Sequence, residues 1–281
     1  MPKYIDTHVH PPTGPDGPIS KYEKALHGYW KMERPLTVYD MVATYKELDI
    51  FGVLLAKDDS SAQGDPPVTN DFVAGIAKKY PEQFVGVGSV DPWQGKLAVR
   101  EIERAITELG LIGIKFIPQL QEFYLNEPRF YPMYAKCQEL GVPIIVHSGT
   151  TGVGANMPGG GGIHLKYTKP IPYMDDVAAD FPELTIIMAH PAFPWQDEQL
   201  AVLRHKPNVF MDLSGWSPKY YSPLLIQYAN SLLQDKMFFG TDYPYLTPKR
   251  WLQDFQEAPF REEVRGKILH ENARRILKLP V

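Results

Sequence analysis

The sequence predicts a closed (β/α)8 barrel on three observations: its length, a strict alternation of apolar runs with helix-like segments, and the residue types that end the runs. At 281 residues the chain suits one such barrel, which takes about 250 residues. Eight short runs rich in β-branched and aromatic residues recur, each separated from the next by enough chain for a crossover helix. Most are apolar nearly throughout, as parallel strands covered on both faces must be. Alternation of this kind closes a barrel more readily than it builds an open doubly wound sheet. No interdomain linker is visible, so residues 1–281 are read as a single domain.

In order, the predicted strands are Tyr4–His10, Gly52–Lys57, Phe84–Val90, Ile112–Pro118, Pro143–Ser148, Leu184–His190, Val209–Ser214 and Met237–Asp242. Thr37 can cap a helix running through Leu48, Asn70 one through Tyr80, and Gly95 opens one to Leu109. Later helices fit Arg129–Leu140, Pro172–Phe181, Asp197–His205, Pro223–Gln234, Pro248–Gln256 and a final Arg261–Leu279. Two long loops depart from the short connections elsewhere. One follows strand 1, Pro11 to Pro35; the other follows strand 5, Gly149 to Pro170, and holds the run Gly159-Gly160-Gly161-Gly162. Both fall at the C-terminal face, where long loops act as lids or binding loops. The glycine run lacks the Lys-Ser/Thr ending of a phosphate-binding loop.

Composition narrows the function classes. Hydrophobic residues make up 44% and charged residues 22%, the balance of a globular protein with a large core. The formal net charge is −4, with basic residues dispersed, which argues against a nucleic-acid or anionic-membrane surface. No apolar run approaches the ~20 residues of a membrane helix. Met1-Pro2-Lys3 runs straight into a strand with no signal peptide. The lone Cys137 cannot form a disulfide within the chain, and a cytoplasmic location is the expectation.

The polar residues at the strand ends carry the chemistry. His8 and His10 stand two apart on strand 1, with Cβ atoms roughly 7 Å apart on one face, a span one divalent ion can bridge. Strand 5 ends in His147, strand 6 in His190 and strand 8 in Asp242. A single histidine after an apolar run is more often a hydrogen-bonded core residue than a ligand. Four histidines and an aspartate at equivalent ends of one barrel, where such enzymes place their active sites, point instead to a shared site.

The segments Asp6-Thr7-His8-Val9-His10, Gly113-Ile114-Lys115-Phe116, Val146-His147, Ala189-His190-Pro191, Gly240-Thr241-Asp242-Tyr243-Pro244 and Glu271-Asn272-Ala273-Arg274-Arg275-Ile276-Leu277 resemble the amidohydrolase superfamily over nearly the whole chain. The likeness is to the branch with aminocarboxymuconate semialdehyde decarboxylase, γ-resorcylate decarboxylase and oxalomesaconate hydratase. It implies one divalent ion, Zn2+ or alternatively Mn2+, held by His8, His10, His147 and Asp242, with His190 as general base or oxyanion stabiliser and Asp242 as a proton shuttle. In binuclear members of the wider superfamily a strand 4 lysine is carbamylated, so Lys115 stands between that role, a substrate contact and a structural ion pair. Asp6 shares the inward face with His8 and His10 one layer deeper, as structural support. The expected substrate contacts are Lys115, Trp195, Trp216, Tyr243, His164 and Arg34, with Tyr22, Tyr29 and Trp30 supplied by the first loop.

Three functions compete. The leading expectation is a hydrolase whose metal-activated water attacks a carbonyl (thioester, lactone or C–C bond) of a small aromatic or β-keto substrate. The run Pro194-Trp195-Gln196-Asp197-Glu198 and the segment Asp212-Leu213-Ser214-Gly215-Trp216-Ser217-Pro218 resemble a compact bacterial subgroup, some of whose members hydrolyse β-ketoacyl-CoA intermediates of hydroxycinnamate breakdown. The alternatives are a lyase of the same family, decarboxylase or hydratase, and a barrel that binds without catalysis. The expected partner is a small molecule, with a homodimer as the family's usual assembly.

Overall fold

A computed structural model describes residues 2–13, 20–31 and 36–281. Eight parallel strands hydrogen-bond in sequence order: β1 (Tyr4–Val9), β2 (Ile50–Leu55), β3 (Phe84–Ser89), β4 (Ile114–Phe116), β5 (Ile144–His147), β6 (Ile186–Ala189), β7 (Val209–Asp212) and β8 (Met237–Phe238). The ladder returns from β8 to β1 through Thr7 N–H to the Phe239 carbonyl (3.0 Å), Asp242 N–H to the His8 carbonyl (2.9 Å) and His10 N–H to the Tyr243 carbonyl (2.8 Å). The chain is therefore a (β/α)8 barrel, with every predicted strand at its predicted place.

Alternate strand residues divide the core into two layers. Val53, Leu55, Ile145, Ile187 and Phe238 fill the barrel interior, joined by Ala273, Leu277 and Leu279 of the C-terminal segment. Their neighbours Leu54, Ile144, Val146, Ile186 and Met188 pack outward against the helices. This two-sided burial is why the strands read as continuous apolar runs.

Helix signals in the sequence mark most starts and fewer ends. Thr37 caps the helix Val38–Glu47 in a capping box with Asp40. At the next helix the cap is Thr69, which accepts from Phe72 N–H, and Asn70 is the first helical residue; Asn70 spends its side chain on Ser89 and Glu101 instead. The predicted C-terminal helix is interrupted by a π-helical turn, Lys267–Glu271, between Glu262–Gly266 and Asn272–Ile276. The long first loop contains a helix, Glu23–Trp30, and it meets the second lid where the Tyr22 hydroxyl reaches the Gly161 carbonyl at 3.1 Å. Among the described residues no helix is long and apolar enough to cross a membrane.

Candidate active site

The C-terminal strand ends open into one cavity of about 560 Å3 whose wall includes His8, His10, Lys115, His147, His190 and Asp242. The register of β1 against β2 shifts between Asp6 and Val9, and this slip separates Asp6 from the two histidines. Asp6 does not share their face as expected. Its carboxylate accepts from the Tyr45 hydroxyl (2.7 Å), the Thr241 hydroxyl (2.6 Å) and the N–H groups of Thr241 (2.9 Å) and His8 (3.1 Å). Burial raises its pKa to about 6 against these bonds. Asp6 thus ties β1 to the segment after β8 and stays outside the cavity.

His190 and Asp242 share a backbone conformation that few non-glycine residues adopt, each with φ at +70°. Holding a side chain there costs on the order of 1 kcal/mol or more, and such strain concentrates where function dictates orientation. His190 N–H donates to Asp212 Oδ1 at 3.2 Å, and the Asp242 amide is held by the His8 carbonyl.

Asp212, at the end of β7, organises the rest. Its Oδ2 accepts from His8 Nδ1 at 2.9 Å, and its Oδ1 accepts from Ser214 N–H at 3.0 Å and from the Ser214 hydroxyl. Ser214 Oγ in turn lies 2.8 Å from His190 Nδ1. A carboxylate only accepts, so the hydroxyl donates to Asp212 and accepts from His190 Nδ1–H. Both His8 and His190 therefore present Nε2 to the cavity as an acceptor, that of His8 beside Lys115 Nζ. The His8 pKa falls to about 3, chiefly through burial and the neighbouring Lys115 charge, so its ring is neutral. For the Asp242 carboxyl, burial acts upward, and the His10 hydrogen bond and the surrounding histidines outweigh it to hold it well below the carboxylate range.

These charges test whether the residues suit a metal. His8 Nε2 faces Asp242 Oδ1 at 3.5 Å, a lone pair set against an anionic oxygen, and His10 Nε2 lies 3.1 Å from the same oxygen. Donor atoms of His8, His190 and Asp242 lie within 4.8 Å of one another. Imidazole and carboxylate donors converging on one buried point fit a divalent cation. Lys115 Nζ stands 3.4 Å from His8 Nε2 with its pKa lowered to about 8, chiefly by burial. His147 packs on His190 with ring centroids 4.6 Å apart, but its Nε2 lies 3.1 Å from the Thr150 carbonyl. It borders the cluster and aims that nitrogen away.

The expected substrate contacts divide. Lys115 and Trp216 line the cavity, as do Tyr22, Tyr29 and Trp30 of the first loop. Three do not belong to its wall. Tyr243 is buried edge-on against Tyr45 at 5.6 Å, because alternation after Asp242 turns it toward the helix layer. Trp195 sits at the start of the helix Gln196–His205, and His164 is exposed on the second lid. Arg34 lies outside the described residues. Asp212, Ser214, Gln119, Tyr245 and Arg250 went unremarked as site residues. Asp212 could have been found by a rule close to the one that found the histidines, since it is the first polar residue after the apolar stretch Val209-Phe210-Met211 of the seventh run.

Gly215 yields a direct test of this arrangement. Its φ is +74°, and a Cβ there would stand 2.8 Å from His190 Nδ1. Gly215→Ala is expected to push His190 off Ser214 and reduce turnover roughly tenfold through misplacement, with metal content unchanged. Elemental analysis and turnover on the same preparation check both halves.

Residues 5–279 match the amidohydrolase family model, and the chain belongs to that family. Among curated relatives, it is 25% identical over 240 residues to 2-amino-3-carboxymuconate-6-semialdehyde decarboxylase of Dictyostelium discoideum, covering 75% of this chain and 65% of that enzyme, just under two thirds of its length. It is 23% identical over 273 residues to γ-resorcylate decarboxylase of Polaromonas sp. strain JS666, covering 79% and 78% of the two chains. Among solved structures, a TIM-barrel protein of Bordetella bronchiseptica aligns with a TM-score of 0.82 and 28% identity over 98% of both chains. A dihydroxybenzoic acid decarboxylase of Polaromonas sp. JS666, with bound manganese and the inhibitor 2-nitroresorcinol, aligns at 0.67 and 20% over 100% of this chain and 98% of that one.

These relatives correct the leading expectation of a hydrolase. Their named reactions are decarboxylations, and the hydrolytic reading rested on donors that serve either chemistry. A bound ion can polarise a water or neutralise charge on a substrate oxygen, and a list of ligand types does not separate the two. A divalent metal remains supported, whereas zinc in particular does not.

Proposed function

We propose that this chain is a metal-dependent, non-oxidative decarboxylase of a small aromatic or enolic carboxylate. The observation that carries the proposal is the pair of neutral histidines, His8 and His190, fixed by one buried carboxylate with their Nε2 atoms turned into an aromatic-walled cavity. His8, His10 and Asp242 would hold the divalent ion, which supplies positive charge for the electron pair that decarboxylation leaves behind. His147 would join them by releasing the Thr150 carbonyl. Asp212 fixes the His8 ring for this duty, as carboxylates that orient metal-binding histidines do.

In the reaction the C–C bond to the carboxyl group breaks, carbon dioxide leaves, and its electron pair stays on the substrate carbon, which then takes a proton. His190 Nε2 is the proton carrier: its Nδ1 is committed to Ser214, so the bare Nε2 picks up a solvent proton as the anionic carboxylate binds and hands it to the carbon when carbon dioxide leaves. Asp242 shuttles protons beside His8 and His190, whose donor atoms lie within 4.8 Å of its own. Trp216, Trp30 and Tyr245 exclude water from the cavity, and Lys115 sits where its ammonium can pair with a substrate oxygen.

The test is carbon dioxide release from a panel of hydroxybenzoates and enolic dicarboxylates, using protein reconstituted with Mn2+ and with Zn2+. The His190→Asn variant should keep the metal and lose turnover. Hydrolysis of a β-ketoacyl thioester without carbon dioxide release from any carboxylate would sink the proposal. Loss of metal in His190→Asn would make His190 a ligand and reassign the proton carrier.

A further inference from the structure

Gln119 lines the cavity and is only 1% exposed. Both its amide oxygen and its amide nitrogen are buried without a hydrogen-bond partner among the described residues. Two residues on, in the same short helix Pro118–Gln121, Gln121 shows how the fold treats a buried amide it uses for itself. There Oε1 accepts from Ile117 N–H at 2.8 Å, and Nε2 donates to the carbonyls of Asp58 (2.7 Å) and Val90 (2.9 Å). Native proteins satisfy nearly all such groups, so an amide left empty on a cavity wall needs a reason beyond the fold. Lys115, Ile117 and Gln119, each two residues from the last, all reach the cavity, whereas Phe116 between them packs into the helix layer. Gln119 thus lines the same cavity as the lysine beside His8.

We propose that Gln119 determines substrate specificity by pairing with a hydroxyl group on the substrate; this deepens the decarboxylase reading and rests on it. The argument is one of donors and acceptors. The amide has an oxygen that needs a donor and a nitrogen that needs an acceptor. A carboxylate only accepts and would leave the oxygen empty; an ammonium only donates and would leave the nitrogen empty. A phenolic or enolic hydroxyl does both. The surrounding wall, with Ile117, Leu120 and Trp30, offers apolar contact to a flat ring or diene carrying that hydroxyl. The substrate class is therefore a hydroxylated aromatic or enolic carboxylate, with the hydroxyl read by Gln119 and the carboxyl group lost at His190.

The experiment is calorimetric titration of the Mn2+-reconstituted protein, wild type and Gln119→Leu, with benzoate, the three monohydroxybenzoates and their methoxy counterparts. Carbon dioxide release is followed on the same compounds. Wild type should bind one hydroxy isomer roughly 10- to 100-fold more tightly than benzoate and its methoxy partner, the range one buried hydrogen-bonding group supports. Gln119→Leu should erase that preference while binding benzoate as before. Because the leucine removes an unpaired buried amide, the variant should melt at or above the wild-type temperature, and a folded variant with intact metal is the control. A hydroxyl preference that survives in Gln119→Leu, or wild-type binding that never distinguishes hydroxyl from hydrogen, overturns the proposal. Carbon dioxide release without any hydroxyl preference removes only the role of Gln119. A Gln119-dependent preference with no carbon dioxide released upholds that role and removes decarboxylation.

Discussion

Replacing Asp212 with alanine is expected to cost both metal affinity and stability, because one carboxylate serves four donors. His8 Nδ1–H, His190 N–H, Ser214 N–H and the Ser214 hydroxyl all converge on it, and the residue is fully buried. Burial acts upward on its carboxyl, and the His8 hydrogen bond and the nearby Lys115 outweigh it and hold the group far below the usual range. Removing it frees the His8 ring to turn and lets Ser214 release His190. Loss of a carboxylate that orients a ligand histidine typically costs about 10- to 100-fold in metal affinity or activity. Leaving a buried donor unpaired adds a penalty of about 1–3 kcal/mol to folding. Asp212→Asn separates the two effects: it keeps the shape and one acceptor oxygen, so it should lose metal affinity with a smaller drop in melting temperature. Competition with a chromogenic chelator gives the first quantity and thermal unfolding of the apo-protein the second. Wild-type metal affinity in both variants would remove Asp212 from the site.

The fold was legible because each strand of a parallel barrel is buried on both faces, and that leaves a signature in consecutive residues. The candidate ligands His8, His10, His147 and Asp242, and the candidate base His190, could be picked out because barrel geometry sends polar residues at strand ends into one cavity. Side-chain direction is set differently. Tyr243 and Trp195 each follow a strand end by one or a few residues, as Trp216 does, yet only Trp216 reaches the cavity. Sequence distance from a strand end does not fix the direction a loop takes. Asp6 illustrates the same limit inside a strand, where one slip in register moved it from the histidines to Tyr45.

Partner satisfaction was less legible still. Gln119 and Gln121 are the same residue type on the same turn, and only the tertiary structure leaves one amide saturated and the other empty. The choice between hydrolysis and decarboxylation failed for a related reason. Ligand residue types specify a cation, whereas the reaction depends on which substrate atoms face His190, and those are set by loops whose aromatics the sequence locates only along the chain.

Trp251→Ala is expected to be the most destabilising single truncation away from the cavity. Trp251 is fully buried on the helix Pro248–Glu257, against Phe239 at 4.5 Å and Phe255 at 4.9 Å between ring centroids. Its Nε1–H reaches the Leu213 carbonyl at 3.3 Å and the Tyr221 hydroxyl at 3.2 Å. The indole therefore clamps the segment after β7, which starts beside Asp212, to the segment after β8, which carries Asp242. Deleting it removes about 3–5 kcal/mol through lost transfer energy and the cavity left behind, which lowers the melting temperature by roughly 6–10 °C in a domain of this size. Trp251→Phe restores most of the volume but not the N–H, and should recover more than half of the loss. Metal content well below the melting transition should match wild type, because no atom of Trp251 faces the cavity. Thermal unfolding of the three proteins beside elemental analysis checks this, and a Trp251→Ala variant melting within 2 °C of wild type, roughly the shift of a 1 kcal/mol change, would refute the clamp.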